Sequence, residues 1–219
     1  MVKMNKKIIG VVACSAVAAS MAIGASASDE LIKVGYAQVG HESDWRTANT
    51  QNYQDVFSEA NGYELSFVDC DNDNAAQIEA VRNFINQELD YIVIAPIQSA
   101  GWDTVLQEAQ DAGIPVIIAD REIEASDDLY DAWVGTNTTN EGITAGNWLA
   151  ENLDGKEANI LVIEGSVGAS AALGRSDGFN QVAAEHDEWT ILDSQSGDFT
   201  QDGGQEVMES FIKSYEGQF

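Results

Sequence analysis

From residue 31 onward, apolar runs of strand length alternate with segments whose apolar residues recur at helical spacing. Residues 31–37 read as a first strand. Trp45, Ala48, Val56, Phe57 and Ala60 follow at helical spacing, and Asn61-Gly62 stops the helix. Residues 63–68 read as a strand, Ala75, Ile78, Val81 and Ile85 mark a second helix, and 91–95 is a strand closed by Pro96. Val105, Leu106, Ala109 and Ala112 mark a third helix ended by Gly113, and 114–119 is a strand of mostly β-branched residues. Strands that are apolar on both faces belong to a parallel sheet covered by helices. The order therefore predicts a doubly wound α/β architecture.

A second unit follows. Residues 132–135 form a short strand or crossover, 142–153 a helix, and Asp154-Gly155-Lys156 a turn. Then come a strand at 160–163, a helix at 169–186, a strand at 190–192 and a helix at 205–215. Val39-Gly40 and Val167-Gly168 each follow the first strand of their unit, a faint repeat that fits two similar lobes joined near residues 130–140. The expected organisation is a leader at 1–27, an α/β lobe at 28–135 and part of a second α/β lobe at 136–219. Two strands are too few for an independent lobe, so the chain as given is expected to stop partway through its second one.

The leader changes the picture of location. Lys3, Lys6 and Lys7 precede an apolar or small-residue stretch from Ile8 to Gly24, then Ala25-Ser26-Ala27 and an abrupt acidic start at Asp29-Glu30. A basic region, an apolar region and an A-x-A site describe a secretory signal cut after Ala27. The alternatives are an uncleaved anchor and a lipid anchor at Cys14, because Val11-Val12-Ala13-Cys14 resembles a lipoprotein box. With the leader removed, Cys70 is the one thiol left, and no intramolecular disulfide forms.

Charge narrows the partners. The chain has 37 acidic and 10 basic side chains, a formal charge of −27. Such a surface repels phosphate backbones, which excludes nucleic acid, and it offers no basic patch to anionic lipid. The apolar content of 44% separates it from a disordered acidic chain. Solubility and adaptation to high salt both account for the acid excess and stay open here.

Parallel sheets bind ligands outside the carboxyl ends of their strands. Gly40-His41-Glu42-Ser43-Asp44-Trp45-Arg46 follows the first strand and Asp120-Arg121 the fourth. Gly165-Ser166-Val167-Gly168-Ala169-Ser170, with Arg175 beyond, follows the first strand of the second unit. Arg46, Arg121 and Arg175 are three of only four arginines in the chain. Arginine offers a rigid fork of donors and a carboxylate accepts bidentately, so together they read vicinal hydroxyls. Trp45 offers a flat face to the C–H side of a sugar ring, or else packs into the core of its helix. No G-x-G-x-x-G follows the first strand, and no Walker A, zincin or G-x-S-x-G pattern is present. Asp69-Cys70-Asp71-Asn72-Asp73-Asn74 begins like a calcium loop, but Asn74 replaces the required Gly and Ala80 the bidentate Glu. It reads as a strand-to-helix turn with Asn/Asp caps.

The runs from Val39 to Arg46, Ile94-Ala95-Pro96 with Gly101-Trp102, Ile114 to Arg121, Gly165 to Ser170 and Ser194-Gln195-Ser196-Gly197-Asp198-Phe199-Thr200 resemble those of a known family. It comprises the ribose/galactose-type sugar-binding proteins of ABC transporters, with the periplasmic-binding-protein type 1 fold, and the galactofuranose-binding members most of all. The resemblance implies two lobes, each a parallel sheet flanked by helices, closing over a monosaccharide. It implies ligand contacts from Glu42, Ser43, Asp44, Trp45, Arg46, Asp120 and Arg121 in the first lobe and Arg175 in the second, and further contacts past Phe219. His41 stands where a Ser is usual and Asp44 where a Gly is usual, which leaves the exact sugar open. The implied protein is a periplasmic monomer that passes its ligand to an inner-membrane ABC permease, with no cofactor or metal and no chemistry of its own. A carbohydrate enzyme using Glu42 and Asp120 as a carboxylate pair is the rival reading.

Overall fold

The computed structural model describes residues 30–219; the leader at 1–27 and Cys14 lie outside the described residues. Five parallel strands form the first sheet: β1 (Ile32–Gln38), β2 (Tyr63–Asp69), β3 (Tyr91–Ile94), β4 (Val116–Asp120) and β5 (Ala132–Gly135), in the order β2-β1-β3-β4-β5. Helices α1 (Asp44–Val56), α2 (Asn74–Asn86) and α3 (Asp103–Asp111) lie between successive strands. The remaining elements are α4 (Thr138–Leu153), β6 (Ala158–Glu164), α5 (Ser170–Ala183), β7 (Trp189–Ser196) and α6 (Gln201–Ser214), and β6 pairs parallel with β7 alone. The short run at 132–135 is thus a true edge strand, paired with β4.

The core lies on β1, β3 and β4, where Val34, Tyr36, Ile92, Ile94, Val116 and Ile118 are buried against Val81, Phe84, Val105, Leu106 and Trp102. Gln77 of α2 is fully buried and clips the sheet to its loops. Its amide donates to the carbonyls of Ala37 (3.1 Å) and Ala95 (2.7 Å) and accepts from the Ile97 N–H (2.9 Å). The acidic run after β2 is a capping turn, as its sequence implies. Asp73 accepts from the N–H groups of Ala75 and Ala76, and Asp69 from that of Asp71.

One expectation is overturned. Most of the apolar stripe assigned to α1 faces water: Trp45 is 60% exposed and Ala48 and Val56 are exposed as well, while Phe57 at the helix end packs half-buried against the core. The buried face carries Arg46 and Thr50, with Asn49 and Tyr53 half-buried beside them. Tyr36 and Gln38 of β1 donate to the Asn49 side-chain oxygen at 3.1 and 3.0 Å, and Gln38 also reaches Thr50. A helix seated on polar strand residues buries polar partners, so apolar periodicity selects the wrong face. Two helices also begin earlier than their apolar residues indicate. Asn137 caps α4 and Thr200 caps α6, each accepting a backbone N–H of the first turn.

Helices α4 and α5 approach closely through glycine. A Cβ on Gly142 would overlap the Arg175 carbonyl, and one on Gly178 the Thr139 carbonyl. Backbone atoms cannot rotate aside, so Gly178→Ala should separate the helices at a cost of about 1–3 kcal/mol. A drop in the thermal unfolding midpoint checks this, and an unchanged midpoint refutes it.

Cys70 is buried, and burial pushes its thiol up from 9.0 to about 12, with Asp69 and Asp73 adding to the effect. The folded protein should therefore resist alkylation at mildly alkaline pH and react once unfolded in urea. The unfolded thiol ionises first, so this group lowers stability as pH rises from 9.0 toward about 12.

Candidate functional site

Four charged side chains meet at the carboxyl ends of β1 and β4. Ser43 caps α1, its hydroxyl accepting from the Arg46 N–H at 3.2 Å, and this sets the helix start that turns Arg46 inward. Asp120 ends β4 in a left-handed conformation (φ 66), and the Arg121 N–H reaches back to the Ala119 carbonyl at 2.9 Å. This tight three-residue turn is strained for a non-glycine residue, by about 1–3 kcal/mol. It is held in place because Gly135 leaves room for the Asp120 carbonyl, which also accepts from the Trp133 indole. The strain sends successive side chains, Asp120 and Arg121, into one cluster.

Arg46 and Arg121 are only 2% and 3% exposed. Arg46 donates to Asp120 at 2.5 Å and to Glu42 Oε1 at 3.2 Å, and Arg121 donates to the same Glu42 oxygen. Burial alone would push the Arg46 guanidinium down, but Asp120 and then Glu42 more than offset it and hold it above its ordinary value. Two carboxylates balance two guanidinium groups, so the cluster is neutral. A buried ionic group persists only when paired and hydrogen-bonded, and here the pairing is incomplete. Glu42 Oε2, Arg46 Nη1 and Arg121 Nη1 are buried without a protein partner. One acceptor and two donor nitrogens thus remain unspent within the cluster.

The other sequence-predicted residues sit around this quartet. Trp45 lies over the Arg46 guanidinium, 4.9 Å from carbon to ring centre, so it is a rim residue and not part of the core. Asp44 is exposed in the first turn of α1, where the positive helix end favours a carboxylate. Arg175 does not join the quartet. It is half-exposed on α5 and donates to Glu141 of α4 at 2.8 Å. Hydrogen bonds from Thr136 and then Arg175 hold the Glu141 carboxyl below its ordinary value.

Phe199 links the two arginine groups, a role that the residue pattern did not disclose. Its ring lies 4.7 Å from the Arg121 guanidinium carbon and 5.8 Å from that of Arg175. Asp198 and Phe199 both have positive φ (54 and 58), and the ring rests where a side chain on Gly165 would be. Gly165 and Gly197, both beside the strand ends, were the available signal. A cavity of about 710 Å³ is lined by Glu141, Arg175 and Phe199 but by no member of the quartet. Val162, Ile163, Ile191 and Phe179 line much of it, so it lacks the donors and acceptors of the quartet.

The chain is similar to known sugar-binding proteins. The chain is 42% identical to the galactofuranose-binding protein YtfQ of Escherichia coli over 212 residues, which is 96% of this chain and 65% of that protein. A Mycobacterium smegmatis protein solved with β-D-fucofuranose superposes with a TM-score of 0.80 at 42% identity, over 84% of this chain and 61% of that one. The binding component of the arabinose ABC transporter of Shewanella sp. ANA-3, solved with α- and β-L-arabinofuranose, gives the same TM-score and identity over 85% and 61%. The chain thus spans a little under two thirds of the length of these relatives. Residues 34–218 match the family described as periplasmic binding protein domain, and the chain belongs to that family.

Proposed function

We propose that this chain is an extracytoplasmic solute-binding protein that captures a neutral furanose, galactofuranose or a close relative, and delivers it to an ABC permease as a monomer. The observation that carries the reading is the neutral, buried quartet with its unspent acceptor and two unspent donors. A hydroxyl group both donates and accepts, so a vicinal diol satisfies the Glu42 oxygen and the two arginine nitrogens together. In this reading Ser43, Asp44 and Trp45 at the start of α1 and Phe199, which lies against Arg121, border the sugar, and Arg175 contributes from α5 on the far side of Phe199. Residues 28–135 and 136–219 then act as two lobes whose approach encloses the sugar, and the leader at 1–27 directs export.

Galactofuranose, arabinofuranose and ribose, titrated separately in a calorimeter, test the proposal. Saturable binding of a furanose, with the sugar recovered unaltered, supports it. Absence of binding to all three, or release of a modified sugar, overturns it. The rival reading, a hydrolase using Glu42 and Asp120, is the one that release of a modified sugar would support.

A further inference from the structure

We infer that this protein is built to fold in molar salt. Composition alone leaves solubility and salt adaptation equally open; the placement of the charges separates them. Among the described residues, which hold all the acidic side chains but Asp29, arginines pair with four carboxylates, Glu42, Glu108, Asp120 and Glu141, and the imidazoles of His41 and His186 contact Asp69 and Glu188. All four arginines are committed to those pairs, and no lysine is in one among the described residues. The other described carboxylates have no cationic side chain within ion-pair distance; those with protein partners, such as Asp55, Asp73, Asp111 and Glu164, accept from neutral amide, hydroxyl or backbone N–H groups.

The helix ends carry the argument further. A helix has partial negative charge at its C-terminus, where a cation stabilises and an anion destabilises. Among the described residues, the last turns of α1, α2, α3, α4 and α5 contain no basic residue, and only α6 has one, Lys213. Three of these last turns carry an exposed acid instead: Asp55 in α1, Asp111 in α3 and Glu151 in α4. A chain needing only solubility has no reason to place acids there, since any exposed position serves. Such placement is tolerable where the field of each helix end is screened within a few ångströms, as it is near 1 M salt, with a Debye length of about 3 Å.

Thermal unfolding of the whole protein at about 0.05 M and about 2 M sodium chloride tests this. The midpoint should rise by roughly 10 °C or more with salt. Salt also strengthens apolar burial in any protein, so the triple variant Asp55→Lys, Asp111→Lys, Glu151→Lys is measured alongside. It should unfold at a higher temperature than the parent in low salt and show a smaller rise with added salt. A midpoint that does not change with salt overturns the inference, and so does a triple variant whose salt response equals the parent's.

Discussion

Replacing Arg121 by alanine abolishes sugar binding, read by titration calorimetry as a loss of roughly a hundred-fold or more in affinity. The magnitude follows from what the side chain does. Its guanidinium is buried, pairs with Glu42, and has Nη1 without a protein partner, the atom that the proposed function assigns to a ligand hydroxyl. Truncating one member of a buried, hydrogen-bonded charge pair costs about 2–5 kcal/mol, because the partner is left short of donors. At about 1.4 kcal/mol per tenfold, that is two to three orders of magnitude. Arg121→Lys should recover little of it, since an ammonium cannot donate to Glu42 and a hydroxyl in one plane. Near-parental affinity in Arg121→Ala would remove the quartet from the binding reaction.

The visibility of this site in the sequence has a physical basis. Buried parallel strands are apolar on both faces, so 91–95 and 114–119 mark the sheet, and with it the edge where ligands bind. Glu42, Arg46, Asp120 and Arg121 stand immediately beyond two of those strands, and the structure brings these four together. Apolar periodicity picks the wrong face of helix α1 for the same reason that the helix matters. Its buried face is polar, so an apolar search settles on Trp45 and Val56, which lie in water. Phe199 was legible only through its neighbours. Two successive left-handed residues leave no trace in residue type, and the glycine that receives the ring lies more than thirty positions away, at Gly165.

The strain at Asp120 connects this geometry to function. An ordinary extended residue at the end of β4 would send Asp120 and Arg121 to opposite sides, as strand alternation requires. The left-handed turn instead lets Asp120 meet Arg46 while Arg121 meets Glu42. The quartet is therefore assembled without a ligand, so on the proposed function binding need not include the entropy of collecting four long side chains.

That assembly makes Glu42 the position where stability is most exposed. Glu42→Ala removes the carboxylate shared by both arginines, leaving Arg46 with Asp120 alone and the buried Arg121 with no carboxylate. Breaking a buried pair from one side costs about 3–5 kcal/mol, a large part of the roughly 5–15 kcal/mol that holds a domain folded. For a chain of this size that lowers the unfolding midpoint by about 10 °C. The double variant Glu42→Ala, Arg121→Met distinguishes lost pairing from lost packing. It removes one charge of each sign and keeps the 2.5 Å Arg46–Asp120 pair, so it should regain most of the midpoint while remaining unable to bind. If the double variant unfolds as early as Glu42→Ala, the cost lies in the cavity and not in the unpaired charge. If Glu42→Ala unfolds with the parent, the quartet contributes nothing to the fold, and its carboxylate serves the ligand alone.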